Sequence, residues 1–104
     1  YKIGDEIREA NITVSTFADL FGYKMEAYDA SVHSPKILTE AGVPVAMKSD
    51  HPVSHAKDLI SHAAKSAYYG WDEALALASV MSVPAKAIQL DHRVGFLNKD
   101  FDAD

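Results

Sequence analysis

The chain has 104 residues, of which 48% are hydrophobic and 24% charged, and its formal net charge at pH 7 is −5. This length and composition are those of one small globular domain, and the negative charge argues against nucleic acid or an anionic membrane as a partner. No apolar run approaches membrane-spanning length, and the absence of cysteine excludes a disulfide framework and a thiolate metal site.

The first third of the chain predicts a helix, a strand and a loop. Residues 2–10 are charged and favour a helix, which Asn11 would end. Residues 12–17 are rich in β-branched and aromatic side chains, as is typical of a strand. Residues 18–32 hold several aromatic side chains but keep neither a helical nor a strand period. We expect a loop there, of the kind that lines active sites, although most of its aromatic residues are expected to form a satellite core beneath it.

A second strand is predicted by the apolar run at residues 43–47, which Gly42 precedes and a polar cluster ending in Asp50 follows. A short apolar run bounded by turn residues is typical of a strand buried on both faces. With the helix between them, the two strands predict one βαβ crossover over residues 12–50, and therefore an α/β fold with parallel strands.

The remaining helices are predicted from their start signals, which are Ser34 with Pro35, Ser54, Asp72, and Ser82 with Pro84. Gly42 and Gly70 are expected to end the first two of these helices. We expect the helices after Ser54 and Asp72 to bury apolar stripes, whose members include Ile60, Ala63, Ala64, Leu75 and Leu77.

Asp50 is the residue most expected to carry chemistry. In parallel α/β folds, functional residues lie at the carboxyl ends of strands, and Asp50 holds that position after the second predicted strand. The residues alone leave an alternative, which is that Asp50 only caps the following helix.

Several motifs follow one another in a fixed order, namely residues 42–52, Tyr69-Gly70, residues 83–87, residues 91–95 and residues 102–104. Over roughly residues 11–104, their order and spacing resemble the carboxyl-terminal end of metal-dependent amidohydrolases, most closely the imidazolonepropionase-like branch. Where such relatives often carry a Pro-Gly turn, this chain has Lys99-Asp100. Aspartate tolerates the left-handed conformation less well than glycine.

The resemblance implies a (β/α)8 TIM-like barrel of which this chain would be only the carboxyl-terminal part, about the last two βα units. Residues 1–93 would belong to the barrel, and residues 94–104 would begin the return into a small β-sandwich. Because a complete barrel needs about 250 residues, the chain is expected to be truncated and to have the remainder of the barrel as its partner.

The resemblance also implies site residues. Asp50 would bind a divalent metal, with zinc expected, or accept the proton of the attacking water and pass it to the leaving nitrogen. His51 would contact the substrate, with a polar turn as the alternative. Tyr28 and Lys24 are candidates for lining the substrate pocket because they lie on the loop predicted over residues 18–32. The other metal ligands would lie outside this chain, which alone is expected to hold no catalytic metal and to be inactive. His55 and His62 match no family position and are expected to face solvent.

The expected function is hydrolysis of a carbon–nitrogen bond in a small amide, such as a cyclic amide, an acyl amino acid or a dipeptide. Deamination by the same machinery is a second possibility. A third, of a different class, is a non-catalytic fragment that acts in assembly with the rest of the barrel or with another copy of itself as a homo-oligomer. The lack of cysteine favours a cytoplasmic location.

Overall fold

The computed structural model describes residues 1–18 and 20–102, a mixed α/β domain. Within these residues, two strands lie between helices in the order α1 (Gly4–Glu9), β1 (Val14–Thr16), α2 (Ser34–Glu40), β2 (Val45–Met47), α3 (Leu59–Tyr68), α4 (Glu73–Ala78) and α5 (Ser82–Ala87). Single 3-10 turns at Met25–Ala27 and Ala56–Asp58 precede α2 and α3. None of the helices in this described part of the chain is both long and apolar enough to cross a membrane.

The two strands form a parallel pair, which confirms the predicted crossover through α2. Val14 pairs with Val45 and Thr16 with Met47. The Val14 N–H donates to Pro44 O at 2.9 Å, and the Lys48 N–H donates to Thr16 O at 2.9 Å. Both strands are shorter than the sequence predicts, because only three residues of each are paired.

The outer edges of the two strands differ. In a parallel pair, alternate residues turn their backbone groups toward the same neighbour. Val14 and Thr16 bond to β2, so the N–H and C=O of Ser15 point to the other edge of β1, where they have no backbone partner among residues 1–18 and 20–102. On the outer edge of β2, the Met47 N–H donates to Ser79 O at 3.0 Å.

The core lies between β2 and the helices. All three residues of β2 are buried, as predicted for a strand covered on both faces. Val45 and Met47 belong to one apolar cluster with residues of the helices and their connections, namely Ala18, Leu38, Val43, Ala63, Trp71 and Ala76. The Trp71 indole N–H donates to Thr39 Oγ1 at 2.9 Å, which satisfies the polar atom of this buried side chain.

Helix boundaries are confirmed at four predicted positions, namely Asn11, Gly42, Gly70 and Asp72. Gly42 has φ +84°, and the N–H groups of Gly42 and Val43 return to Thr39 O and Leu38 O, which closes α2 in the left-handed glycine cap. Asn11 ends α1 with φ 53°. Asp72 caps α4, because its Oδ1 accepts the Leu75 N–H at 2.9 Å.

Two predicted caps are wrong. Ser34 makes no capping hydrogen bond and is the buried first residue of α2, with His33 in the N-cap position. Ser54 does not cap α3, which begins at Leu59 after a 3-10 turn. The Ser54 hydroxyl is instead bonded to His62, so it is not available to cap a helix.

The predicted apolar stripes of α3 and α4 are only partly buried. Ala63 is in the core, but Ile60 is 54% exposed and Leu77 is 50% exposed. The reason is that α3 and α4 face each other and the core through smaller residues. The larger side chains are left on an open apolar surface, lined by Ile60, Ala63, Ala64, Ala67, Tyr68, Glu73, Ala76 and Leu77, which we call the α3–α4 surface.

After α5, residues 91–102 form a succession of turns. The Arg93 Nη2 lies 2.6 Å from the Asp102 carboxylate, and the Asp102 N–H donates to Arg93 O at 2.8 Å, so the segment folds back on itself. Asp100, which stands where relatives often carry the glycine of a Pro-Gly turn, adopts the left-handed conformation with φ 69°. The expected start of a β-sandwich over residues 94–104 stays a prediction, and its last two positions, Ala103 and Asp104, lie outside the described residues.

Candidate functional site

Asp50 lies in a tight turn just beyond the carboxyl end of β2, and its side chain is exposed. The Val53 N–H donates to Asp50 O at 2.8 Å, and the Ser54 N–H donates to Ser49 O at 3.2 Å. Asp50 itself has φ 56°, a left-handed conformation that aspartate adopts more readily than most residues. The structure therefore places the predicted catalytic carboxylate at the strand end, within what we call the Asp50 turn, residues 49–54.

His51 is exposed beside Asp50, and a second histidine lies near it. The Ala56 N–H donates to His51 Nδ1 at 3.4 Å, and the ring centroids of His51 and His55 are 6.1 Å apart. The His51–Pro52 peptide bond is cis. The ring of His51 is thus held loosely by one backbone donor, and its substrate contact stays a prediction.

Lys24 and Tyr28 lie on the loop that follows β1. Lys24 Nζ forms an exposed ion pair with Glu26 at 3.3 Å, and Tyr28 is 75% exposed. A hydrogen bond from its own backbone, followed by one from Lys24, lowers the pKa of the Glu26 carboxyl. Within the described residues, no hydrogen bond or ion pair joins Lys24 or Tyr28 to Asp50. The structure does not bring these residues into contact, and their pocket-lining role stays a prediction.

A cation lies at the same strand ends and was missed by the sequence reasoning. Lys48 Nζ is 4.5 Å from the centroid of the Phe17 ring. The strand register explains this contact, because Phe17 and Lys48 each follow the last paired residues of their strands. Lys48 has no ion-pair partner in the part of the chain that the structure describes, so it brings an uncompensated positive charge close in sequence to Asp50. Only the register, which cannot be read from the sequence, could have revealed this pair.

His62 was expected to face solvent, and this prediction is wrong. The residue is 7% exposed on the inner side of α3, and its Nε2 lies 2.7 Å from Ser54 Oγ. Its Nδ1 is buried and has no hydrogen-bond partner among residues 1–18 and 20–102. His62 lies on the inward face of α3 together with Ala63 and Ser66, which are also buried. His55 is exposed, as expected.

The side chains of the Asp50 turn carry oxygen and nitrogen atoms of the types that divalent cations bind. Zinc accepts carboxylate oxygen and imidazole nitrogen, which Asp50 and His51 carry. Among residues 1–18 and 20–102, no group of three or more His, Cys, Asp or Glu side chains is arranged to hold a metal ion. Metal binding by Asp50 stays a prediction.

No protein-family model matches the chain. Over 91 residues it is 37% identical to the amidohydrolase tasK of Hapsidospora irregularis, and the match covers 88% of this chain but 9% of that protein. The structure superposes on the crystal structure of an amidohydrolase from Thermotoga maritima MSB8 with a TM-score of 0.88 and 31% sequence identity.

The structural match covers 100% of this chain and 27% of the Thermotoga chain. The chain thus spans about a quarter or less of the length of either relative. The two matches confirm the amidohydrolase resemblance in sequence and in structure, whereas the imidazolonepropionase-like branch rests on the motifs alone. Over nearly its whole length, the chain is similar to a segment of each of these two amidohydrolases.

Proposed function

We propose that this chain is the carboxyl-terminal part of a metal-dependent amidohydrolase barrel, and that Asp50 takes part in hydrolysis of an amide bond in a small molecule. The observation that carries the proposal is the position of Asp50, an exposed carboxylate in a turn at the carboxyl end of a buried parallel strand. The match to an amidohydrolase structure along the whole chain supports the reaction class. The two units β1–α2 and β2–α3 would be the last two of the barrel.

Asp50 would act first as a base and then as an acid. Its exposed carboxylate would accept a proton from the attacking water as the new carbon–oxygen bond forms, and return that proton to the leaving nitrogen as the carbon–nitrogen bond breaks. Asp50, with His51 beside it, would also offer ligands to a divalent cation, zinc being favoured. When bound, such a cation would supply Lewis acidity that makes hydroxide available at neutral pH.

The substrate class follows from the same resemblance. A cyclic amide would fit the imidazolonepropionase-like branch, and an acyl amino acid or a dipeptide would fit the wider family. The same residues could serve a deaminase, in which the nitrogen leaves as ammonia. Product analysis distinguishes these reactions, because only deamination releases ammonia from an amidine-like or amino carbon while the carbon skeleton stays intact.

The experiment that tests the role of Asp50 compares Asp50→Asn with Asp100→Asn in the whole enzyme of which we propose this chain is a part. Both aspartates are exposed and left-handed, with φ of 56° and 69°. Asparagine also tolerates this conformation, so the backbone is kept at both positions. We expect Asp50→Asn to lower kcat by about 10²- to 10⁴-fold and Asp100→Asn to leave it unchanged. Full activity in Asp50→Asn would refute the proposed role.

A second candidate function is assembly without catalysis, favoured by two surfaces. At the outer edge of β1, the backbone groups of Ser15 have no backbone partner within the described residues, and the α3–α4 surface leaves Ile60 and Leu77 half exposed. Open strand edges and apolar patches are typical of surfaces that pair with another chain segment. We propose that the remainder of the barrel covers these two surfaces. The alternative is that a second copy of this chain covers them. Native mass spectrometry of the purified chain separates them, because self-assembly predicts homo-oligomers and assembly with the barrel predicts a monomer that binds the complementary fragment.

A further inference from the structure

A buried histidine links α3 to the Asp50 turn. His62 Nε2 lies 2.7 Å from Ser54 Oγ. The backbone N–H of Ser54 donates to Ser49 O at 3.2 Å, and the N–H of Val53 donates to Asp50 O at 2.8 Å. The contact with α3 therefore holds one end of the turn, and the other end is Ser49-Asp50.

The free ring nitrogen of His62 indicates which partner donates. His62 Nδ1 is buried and has no hydrogen-bond partner in the part of the chain that the structure describes. If Nε2 accepted the Ser54 proton, Nδ1 would carry a buried N–H without an acceptor, which is rarer in proteins than an unpaired buried acceptor. We therefore assign Nε2–H as the donor and Ser54 Oγ as the acceptor. An amide N–H at the end of a glutamine side chain could replace this donor, whereas a leucine could not.

The turn needs such a constraint. Asp50 has φ 56°, so neither the extended backbone of β2 nor the helical backbone of α3 determines its conformation. The anchor itself is rigid, because the neighbours of His62 on the inner face of α3, Ala63 and Ser66, are buried and α3 contacts β2. Strand and helix thus hold the turn from its two ends.

We propose that His62 is a positioning residue for Asp50. Through Ser54 it fixes the Asp50 turn, so that the carboxylate keeps one orientation at the carboxyl end of β2. The catalytic consequence rests on the proposed function of Asp50, whereas the effect on the turn does not. Sequence reasoning assigned Ser54 to a helix cap and His62 to solvent, and the structure pairs them instead.

The first test is hydrogen exchange of the Asp50 turn in this chain, followed by mass spectrometry of the peptide that spans it. We expect the hydrogen-bonded amides of Val53 and Ser54 to exchange about tenfold faster in His62→Leu and Ser54→Ala, because the bond that ties the turn to α3 is lost. The amide-bearing His62→Gln and the surface control His92→Gln are expected to exchange like the wild type. Ser54→Ala removes only one hydroxyl, so it carries the test if His62→Leu does not fold.

The second test is steady-state kinetics of the same variants in the whole enzyme. Loss of the bond is expected to lower kcat by about 10- to 100-fold with little change in KM, as is typical when support of a reacting group is removed. His62→Gln is expected to restore most of kcat. Unchanged exchange in Ser54→Ala, or a fall in kcat with His62→Gln as large as with His62→Leu, would overturn the proposal. If the turn loosens as expected but the wild type cleaves no amide, the proposed function fails and the positioning role stands.

Discussion

The turns after α5 pack against that helix at Gly95, and we expect replacement of Gly95 by alanine to destabilise the chain. Gly70 serves as a matched control, because it has the same φ without the close contacts. A Cβ at Gly95 would lie 2.7 Å from Ala85 Cβ and 3.1 Å from both Met81 O and Ser82 Cα. Two of these atoms are backbone, so they cannot move aside as a flexible side chain would. Gly70 has the same φ of +89°, but its Cβ would meet nothing closer than 4.0 Å.

The difference between Gly95→Ala and Gly70→Ala therefore measures the steric clash alone. At both positions the left-handed conformation costs alanine roughly 1–2 kcal/mol. Overpacking adds about 1–3 kcal/mol at Gly95 only. With a urea m-value of about 1–2 kcal/mol per M, the unfolding midpoint of Gly95→Ala should lie about 1 M below that of Gly70→Ala.

Urea unfolding followed by fluorescence measures this difference directly, because the chain contains one tryptophan. Trp71 is 4% exposed in the core, so its emission reports the loss of packing. Equal midpoints for the two variants would show that the segment around Gly95 is not seated on α5 as described. Circular dichroism of each variant before the titration checks that both begin from a folded state.

Two further predictions concern the core and an ion pair. Thr39→Val should destabilise the chain by about 1–3 kcal/mol, because it leaves the buried Trp71 N–H without its acceptor. Thr39→Ser keeps the hydroxyl and serves as the control. An equal loss of stability in both variants, measured by urea unfolding, would contradict this reason. Lys2 Nζ lies 2.7 Å from Asp29 Oδ2. This hydrogen bond raises the pKa of the Lys2 ammonium above 10.5 and lowers the pKa of the Asp29 carboxyl below 3.8. The pair should therefore be intact from pH 3.8 to pH 10.5 and be lost as the pH falls through the lowered pKa of Asp29 or rises through the raised pKa of Lys2. Carbon NMR of the Asp29 carboxyl checks this, and a pKa that high salt does not move back toward 3.8 would argue against an ion pair.

Much of the architecture could be predicted because local signals agreed with tertiary packing. The run at residues 43–47 is apolar at nearly every position, and β2 is buried throughout. Gly42 and Asp72 act at helix ends, where their chemistry needs no distant partner. The place of Asp50 followed from the strand alone, since a residue after a parallel strand lies at its carboxyl end.

The remainder depended on contacts that the sequence does not display. Ser54 has the chemistry of a helix cap, but a histidine eight residues later competes for its hydroxyl. The approach of Lys48 to Phe17 requires the register of two strands that are distant in the chain. Whether Ile60 is buried depends on what covers the α3–α4 surface, which periodicity cannot reveal.

The parallel pairing of β1 and β2 also has a consequence for the order in which the chain folds. The strands meet only after residues 17–44 have been drawn into a closed loop, and this closure costs entropy before any sheet hydrogen bond forms. By contrast, α3 and α4 are separated by a few residues and make the most extensive contacts between helices. The helical hairpin is therefore expected to form first and the sheet last. Until β1 arrives, the apolar strand Val45–Met47 has no strand partner, which makes this interval the stage at which the chain is most prone to aggregate.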